Sequence, residues 1–196
     1  MKITLRKNAI RLPLVIAIGA LALGIGGCGR TTLTGVSQDE LSAGGEPYFN
    51  TGPVTYQVQE SRQLNPYDAG DVQYLAGVQG AQDLAANQLW FGVFLWAKNQ
   101  TNQLQKTADT FEIVDSEGTV YKPTPLNASV NPYAWTQMTL SKNGIEPAPD
   151  STASDGSTGG ALILFKLNDS VYSNRPLTLE IFAPGSSKPS KVSLDL

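Results

Sequence analysis

Apolar and polar positions alternate with a period of two along much of the chain, the spacing of strands rather than helices. Val54–Val58 (VTYQV) alternates weakly. Leu89–Lys98 (LWFGVFLWAK) is apolar at both phases, which predicts a central strand covered on each face. Phe111–Val114 runs into Asp115-Ser-Glu-Gly118, a turn with glycine where positive φ is easy, and Val120–Lys122 returns, so the two predict a hairpin. Met138–Leu140 suits a further short strand, and Ala161–Leu167 (ALILFKL) is strongly apolar. In Leu177–Phe182 the residues Leu177, Leu179 and Ile181 share one face, and Val192, Leu194 and Leu196 alternate with Lys191, Ser193 and Asp195. The best helical candidate beyond the N-terminal region is weak, at Gly80–Asn87 (GAQDLAAN). Seven or eight strands separated by Pro, Gly and Asn turns predict an all-β sandwich over residues 53–196.

The first residues break this pattern. Lys2, Arg6, Lys7 and Arg11 form a basic stretch without acidic residues, and Leu12–Ile25 (LPLVIAIGALALGI) is an apolar run of about 14 residues. A membrane-spanning helix needs about 20, so the run suits the core of a signal peptide, residues 1–27. It ends in Ile25-Gly26-Gly27-Cys28, which resembles a lipobox: a branched aliphatic residue, two small residues and a cysteine whose thiol takes a diacylglyceryl group. Cys28 is the one cysteine of the chain, so no internal disulfide is available. Two or three acyl chains on Cys28 would anchor the protein durably to the outer face of a membrane, where a single chain anchors only marginally. Residues 28–52, rich in Gly, Ser and Thr, read as a flexible lipidated tether.

Two loops stand out. Glu146–Gly160 (EPAPDSTASDGSTGG) is low in complexity and predicts a solvated, mobile segment. Pro123–Trp135 (PTPLNASVNPYAW) carries three prolines and aromatics and predicts a loop across one end of the sandwich.

LWFGVFLWAKNQTNQ (Leu89–Gln103), FEIVDSEGTVYKP (Phe111–Pro123) and GALILFKLNDSVYSNRPLTLEIF (Gly160–Phe182) together resemble a known family. It comprises the telokin-like, immunoglobulin-like domains of bacterial surface lipoproteins related to a secreted mycobacterial antigen. The resemblance covers roughly residues 54–196 and implies an immunoglobulin-like arrangement of the sandwich. Its motifs are scaffold motifs, so it carries over no catalytic residues. The family's short proline-glycine approach to its Phe-bearing strand is lengthened here by a Ser/Gly-rich loop near Asp150–Thr158.

Composition then excludes several chemistries. The chain has no histidine, which removes Ser-His-Asp and Cys-His hydrolases, histidine-ligated zinc and imidazole acid–base work. Beyond residue 27 lie all 17 acidic residues and ten of the 14 Lys and Arg, a net charge of −7. Such a surface argues against a nucleic-acid partner. No cofactor or metal site is expected: Asp150 and Asp155-Gly156 lack the alternating oxygen ligands and closing glutamate of a calcium loop. Asp109, Asp115 and Glu117 read as hairpin and surface residues, and Lys98 and Lys166 as strand-edge residues that snorkel to water. Trp90, Phe91, Phe94 and Trp96 read as core, the alternative being an aromatic cleft for a sugar or lipid. Tyr133 and Trp135 are the candidates for contact with a partner, the alternative being that they cap the core.

Three readings of function follow, the third being a carboxylate-based hydrolase, which would need two carboxylates about 5–10 Å apart in a cleft. In the first, the protein is a non-catalytic, lipid-anchored interaction module that meets an envelope protein or wall component through its end loops. In the second, it binds a small ligand in a cleft between the sheets. A preformed apolar pocket with a few converging polar groups would favour the second, and an exposed aromatic patch the first.

Overall fold

The computed structural model describes residues 48–194. The expected signal peptide, Cys28 and the tether up to residue 47 lie outside the described residues, as does Leu196. Eleven strands run through the described part, against the seven or eight expected. One sheet contains β1 (Phe49–Thr51), β2 (Val54–Leu64), β3 (Gln88–Asn99) and β9 (Ala161–Asn168) in that order, with β8 (Ile145–Glu146) also on β3. The facing sheet has the order β11 (Pro189–Leu194), β10 (Leu177–Phe182), β5 (Thr110–Val114) and β6 (Val120–Tyr121). A short ladder joins β4 (Gln105–Lys106) to β7 (Thr139–Leu140). With all named pairs antiparallel, the two sheets form an all-β sandwich.

The expected tether end at Gly52 falls too late. Phe49–Thr51 pairs antiparallel with Val54–Tyr56, and Phe49 is buried against Tyr56 with ring centroids 6.0 Å apart.

Strand β3 carries two cores. Leu89, Phe91, Val93, Leu95 and Ala97 face the second sheet and pack with Tyr56, Ile113, Phe165, Leu179 and Ile181. Trp90 and Phe94 face the other way and pack with Leu64, Tyr74, Tyr133, Leu162 and Leu164. The expectation that both faces of this strand are covered therefore holds; only Trp96 of its aromatics is half-buried, edge-on to Tyr48. Gly92 is what lets the outer layer close, since a Cβ there would lie 3.0 Å from Leu162 Cδ1 and 3.1 Å from Leu64 Cδ1.

A third layer covers this outer face. A 3-10 turn, Val72–Leu75, supplies Tyr74 and Leu75. The weakly expected helix at 80–87 is absent, and its Ala81 carbonyl instead accepts the indole N–H of Trp90 at 2.8 Å. Residues 123–138 form a strap, of which the part 123–135 is the loop expected across one end of the sandwich. It runs along the free edge of β9 instead, with Thr124 N–H donating to Leu164 O, Leu162 N–H to Tyr133 O and Trp135 N–H to Leu162 O. The bare edge of β9 presents unpaired backbone groups, and the strap satisfies them.

Residues 146–160 are only in part the solvated segment expected: Pro149, Asp150, Thr152, Asp155 and Ser157 are exposed, whereas Glu146, Pro147, Ala153, Thr158 and Gly160 are buried. A short helix, α1 (Thr152–Asp155), starts at Ser151, whose side chain accepts from Ser154 N–H, and buries Ala153 in the outer core. Small residues gave the segment its low apparent order, yet small residues are what fit beneath the strap.

Candidate functional site

One edge of β3 is shared by two strands. Gln88–Leu95 pairs with β9, while Ala97 and Lys98 pair with Glu146 and Ile145 of β8. The chain leaves the sheet at Glu146 and rejoins it at Ala161. Between these points the excursion and the strap enclose a cleft of about 200 Å³. Its walls are mostly small and apolar, with Ala128, Ala134, Met138, Pro147, Ala153 and Ala161 among them. Asn131, Thr136 and Ser151 add polar groups, and Glu146 is the one ionisable residue in the lining.

Register explains why a glutamate is buried here. Glu146 lies opposite Ala97, which lies opposite Tyr56, so the three side chains share the inner face of the sheet. Glu146 is only 2 % exposed. Burial raises its carboxyl pKa to about 7, against the lowering effect of bonds from the Thr107 side chain and the Thr136 backbone. Its Oε2 has no hydrogen-bond partner. Thr107 is itself fully buried and tied to the strap, donating its N–H to Met138 O and accepting Met138 N–H on Oγ1, both at 2.9 Å. The Tyr56 hydroxyl accepts Ala108 N–H at 2.8 Å, and burial together with the nearby Glu146 charge holds its pKa above the usual phenol range.

A second cleft of about 190 Å³ opens where the two sheets part, between Phe111 of β5, Leu162–Leu164 of β9, Pro123–Leu126 and Trp135. Asp109 is the one ionisable residue in its lining.

Tyr133 and Trp135, the residues expected to meet a partner, both turn inward. Tyr133 is 8 % exposed, packs edge-on to Tyr74 at 4.7 Å and donates its hydroxyl to Gln73 Oε1 at 2.7 Å. Trp135 is half-buried, donates its indole N–H to Ala108 O at 2.8 Å and stands edge-on to Phe111 at 5.7 Å. The prolines of the loop do not push these rings outward. Backbone bonds to β9 hold the strap, and the two aromatic side chains fill the outer and inner cores.

The remaining expectations divide. Asp115 sits in its hairpin as expected but is buried, with Oδ1 accepting the N–H groups of Glu117 and Thr119 and Oδ2 a bond from Asn174. Burial alone would raise its pKa, and these donors outweigh it and hold the carboxyl below its usual range. Lys166 is exposed and places its ammonium 4.8 Å from the Trp90 ring centroid. Asp150 and Asp155 join no group of three or more potential metal ligands among the described residues. Cys28 lies outside them. Glu146 was not singled out from the sequence, and no local signal marks it: Ala97, Thr107 and Thr136, which bury it, are distant in the chain.

No protein-family profile matches the chain, and no curated protein matches it. Two solved structures do. One is the yjhA protein from Bacillus subtilis, with 11 % identity, a TM-score of 0.42, and coverage of 76 % of this chain and 96 % of that one. The other is a conserved hypothetical protein from Bacillus anthracis, with 11 % identity, a TM-score of 0.44, and coverage of 75 % of this chain and 92 % of that one.

Proposed function

We propose that this protein is a lipid-anchored envelope lipoprotein whose extracytoplasmic domain binds a small ligand, without transforming it, in the cleft at Glu146. The observation that carries this reading is a preformed, mostly alkyl-walled cleft with one buried, incompletely satisfied carboxyl among a few polar groups. Tyr133 and Trp135 turn inward, so these two residues offer a protein partner little aromatic surface. Carboxylate hydrolysis of glycosides uses two acids about 5–10 Å apart, and each cleft has one carboxyl in its lining. The anchor rests on the Ile25-Gly26-Gly27-Cys28 motif and the basic and apolar zones before it.

The test is ligand-detected NMR of the protein against a set of water-soluble compounds of about five to ten heavy atoms, a size matched to such cavities. Hits are expected that lose binding in Ala128→Trp, a change at an exposed rim position that blocks the cleft. Failure of every compound to bind at millimolar concentration, or binding indifferent to the blocking tryptophan, would overturn the reading.

A further inference from the structure

The chemistry around Glu146 narrows the class of ligand. An ionised carboxylate offers about four acceptor positions. Here the side chain of Thr107 and the backbone of Thr136 supply bonds, and Oε2 takes none. No lysine or arginine is in the lining, so the ionised form has no protein counter-ion in the cleft. A neutral donor would satisfy Oε2 and leave the charge uncompensated. An anion would place two like charges together where the dielectric is low. A cation both donates and neutralises. The acidic balance of the chain beyond residue 27 also draws cations toward the domain. The walls set the rest: alkyl surface around about 200 Å³ suits a compact apolar body, since an apolar cavity of about 150 Å³ holds benzene.

Resting on the small-ligand reading above, we propose that the ligand is a compact organic cation. It is a primary ammonium on an apolar body of about six carbons, whose N–H donates to Oε2 of Glu146 while the body lies against Met138, Ala153 and Ala161. Oε2 lies beneath the cleft surface. Reaching it requires a wall side chain to shift, and Met138, unbranched and half-buried, is the most adaptable side chain of the lining. Because the cation pairs with the ionised carboxyl, binding releases a proton wherever that carboxyl was protonated, and affinity rises with pH. The groups around Glu146 leave this dependence to Glu146 itself. Tyr56 of β2 faces it and stays neutral through this range, its pKa raised by burial. Lys98 of β3 lies opposite Ile145, one residue out of phase, and so projects from the other face of the sheet. The strap and α1 contribute no charged residue to the lining.

The experiment uses methyl-¹³C-methionine NMR of the full chain in neutral maltoside micelles. The chain has two methionines, Met1 and Met138, and Met138→Leu assigns the reporter signal. Three probes of one shape are titrated: cyclohexylammonium, cyclohexanol and cyclohexanecarboxylate. At pH 8 the ammonium is expected to shift the Met138 methyl saturably and to bind at least about tenfold more tightly than the alcohol. Its affinity should fall about tenfold or more at pH 5.5, and in Glu146→Gln it should bind no more tightly than the alcohol at either pH. The alcohol or carboxylate binding at Met138 as tightly as the ammonium would overturn the cation assignment and leave the small-ligand reading standing. An ammonium affinity independent of pH in the unaltered chain would do the same. No shift of Met138 by any of the three would overturn both.

Discussion

Glu146 shows how one buried side chain writes a pH dependence into the domain. Its carboxyl pKa is raised from an ordinary 4.5 to about 7, so the folded protein holds a proton that the unfolded chain releases. The stabilising difference is therefore fully present below about pH 4.5 and is lost as pH rises toward 7, by about 3 kcal/mol. Glu146→Gln mimics the protonated form. Denaturant unfolding is expected to give it and the original chain equal stability at pH 4, with the original chain the less stable by about that amount at pH 7.5. Parallel curves across the range would sink the assignment. Asp115 and Asp71 act in the opposite sense, since their depressed pKa values give stability that disappears as pH falls; a Gln-minus-Glu difference isolates Glu146 from both. Gly160, at the end of the excursion beside the cleft, is a second sensitive residue. A Cβ there would lie 2.9 Å from the carbonyl carbon of Phe94 and 3.0 Å from the nitrogen of Leu95, both backbone atoms that cannot turn aside. Gly160→Ala is expected to cost about 1–3 kcal/mol by forcing β9 away from β3, measured as a lowered denaturation midpoint with an unchanged slope.

At the scale of elements, the strand that escaped full recognition is β2. The alternation in Val54–Val58 stops, yet the strand continues to Leu64. A β-bulge between Val58 and Glu60 inserts Gln59 and reverses the phase. Val54, Tyr56 and Val58 enter the inner core, whereas Leu64 enters the outer one and Arg62 reaches Asp71 at 2.6 Å. A pattern search with one phase loses the strand at the bulge. Because Val58 and Glu60 lie opposite the neighbours Leu95 and Phe94, deleting Gln59 is expected to leave Arg62 and Leu64 on their faces and in register; a deletion variant destabilised by more than about 2 kcal/mol in chemical denaturation would show that the bulge itself is needed to hold the two halves of the strand. Strand β9 behaves differently: it is apolar at both phases, buried on both sides, and recognised almost to its ends. Phe165 in it is fully buried, and Phe165→Ala is expected to cost about 3–5 kcal/mol in chemical denaturation. A cost below about 1 kcal/mol would contradict that burial.

For the whole molecule, the anchor and the domain make separate claims. The lipobox-like Ile25-Gly26-Gly27-Cys28 leads us to expect that Cys28→Ser abolishes incorporation of a clickable fatty acid in growing cells. Equal labelling of the two forms would sink the lipoprotein assignment. The domain's acidic balance and lack of histidine bear on partners and chemistry without reference to any fold.

Hydrophobic alternation, turn residues and length alone carried the all-β sandwich, the doubly buried β3, the 115–118 hairpin with Gly118 at φ 84°, and the inward faces of β10 and β11. These rest on interactions between near neighbours in the chain, and a linear pattern records them. The pairing of Phe49–Thr51 with β2, the order within 146–160, the inward aromatics of the strap and the burial of Glu146 were decided only by tertiary structure. Each depends on strands that meet from distant parts of the chain. Ala97 brings its neighbour Glu146 under Thr107 and Thr136, and β9 offers the strap the edge that turns Tyr133 and Trp135 inward. A polar, low-complexity stretch looks the same in sequence whether water or a sheet edge satisfies its backbone, and only the assembled layers choose between them.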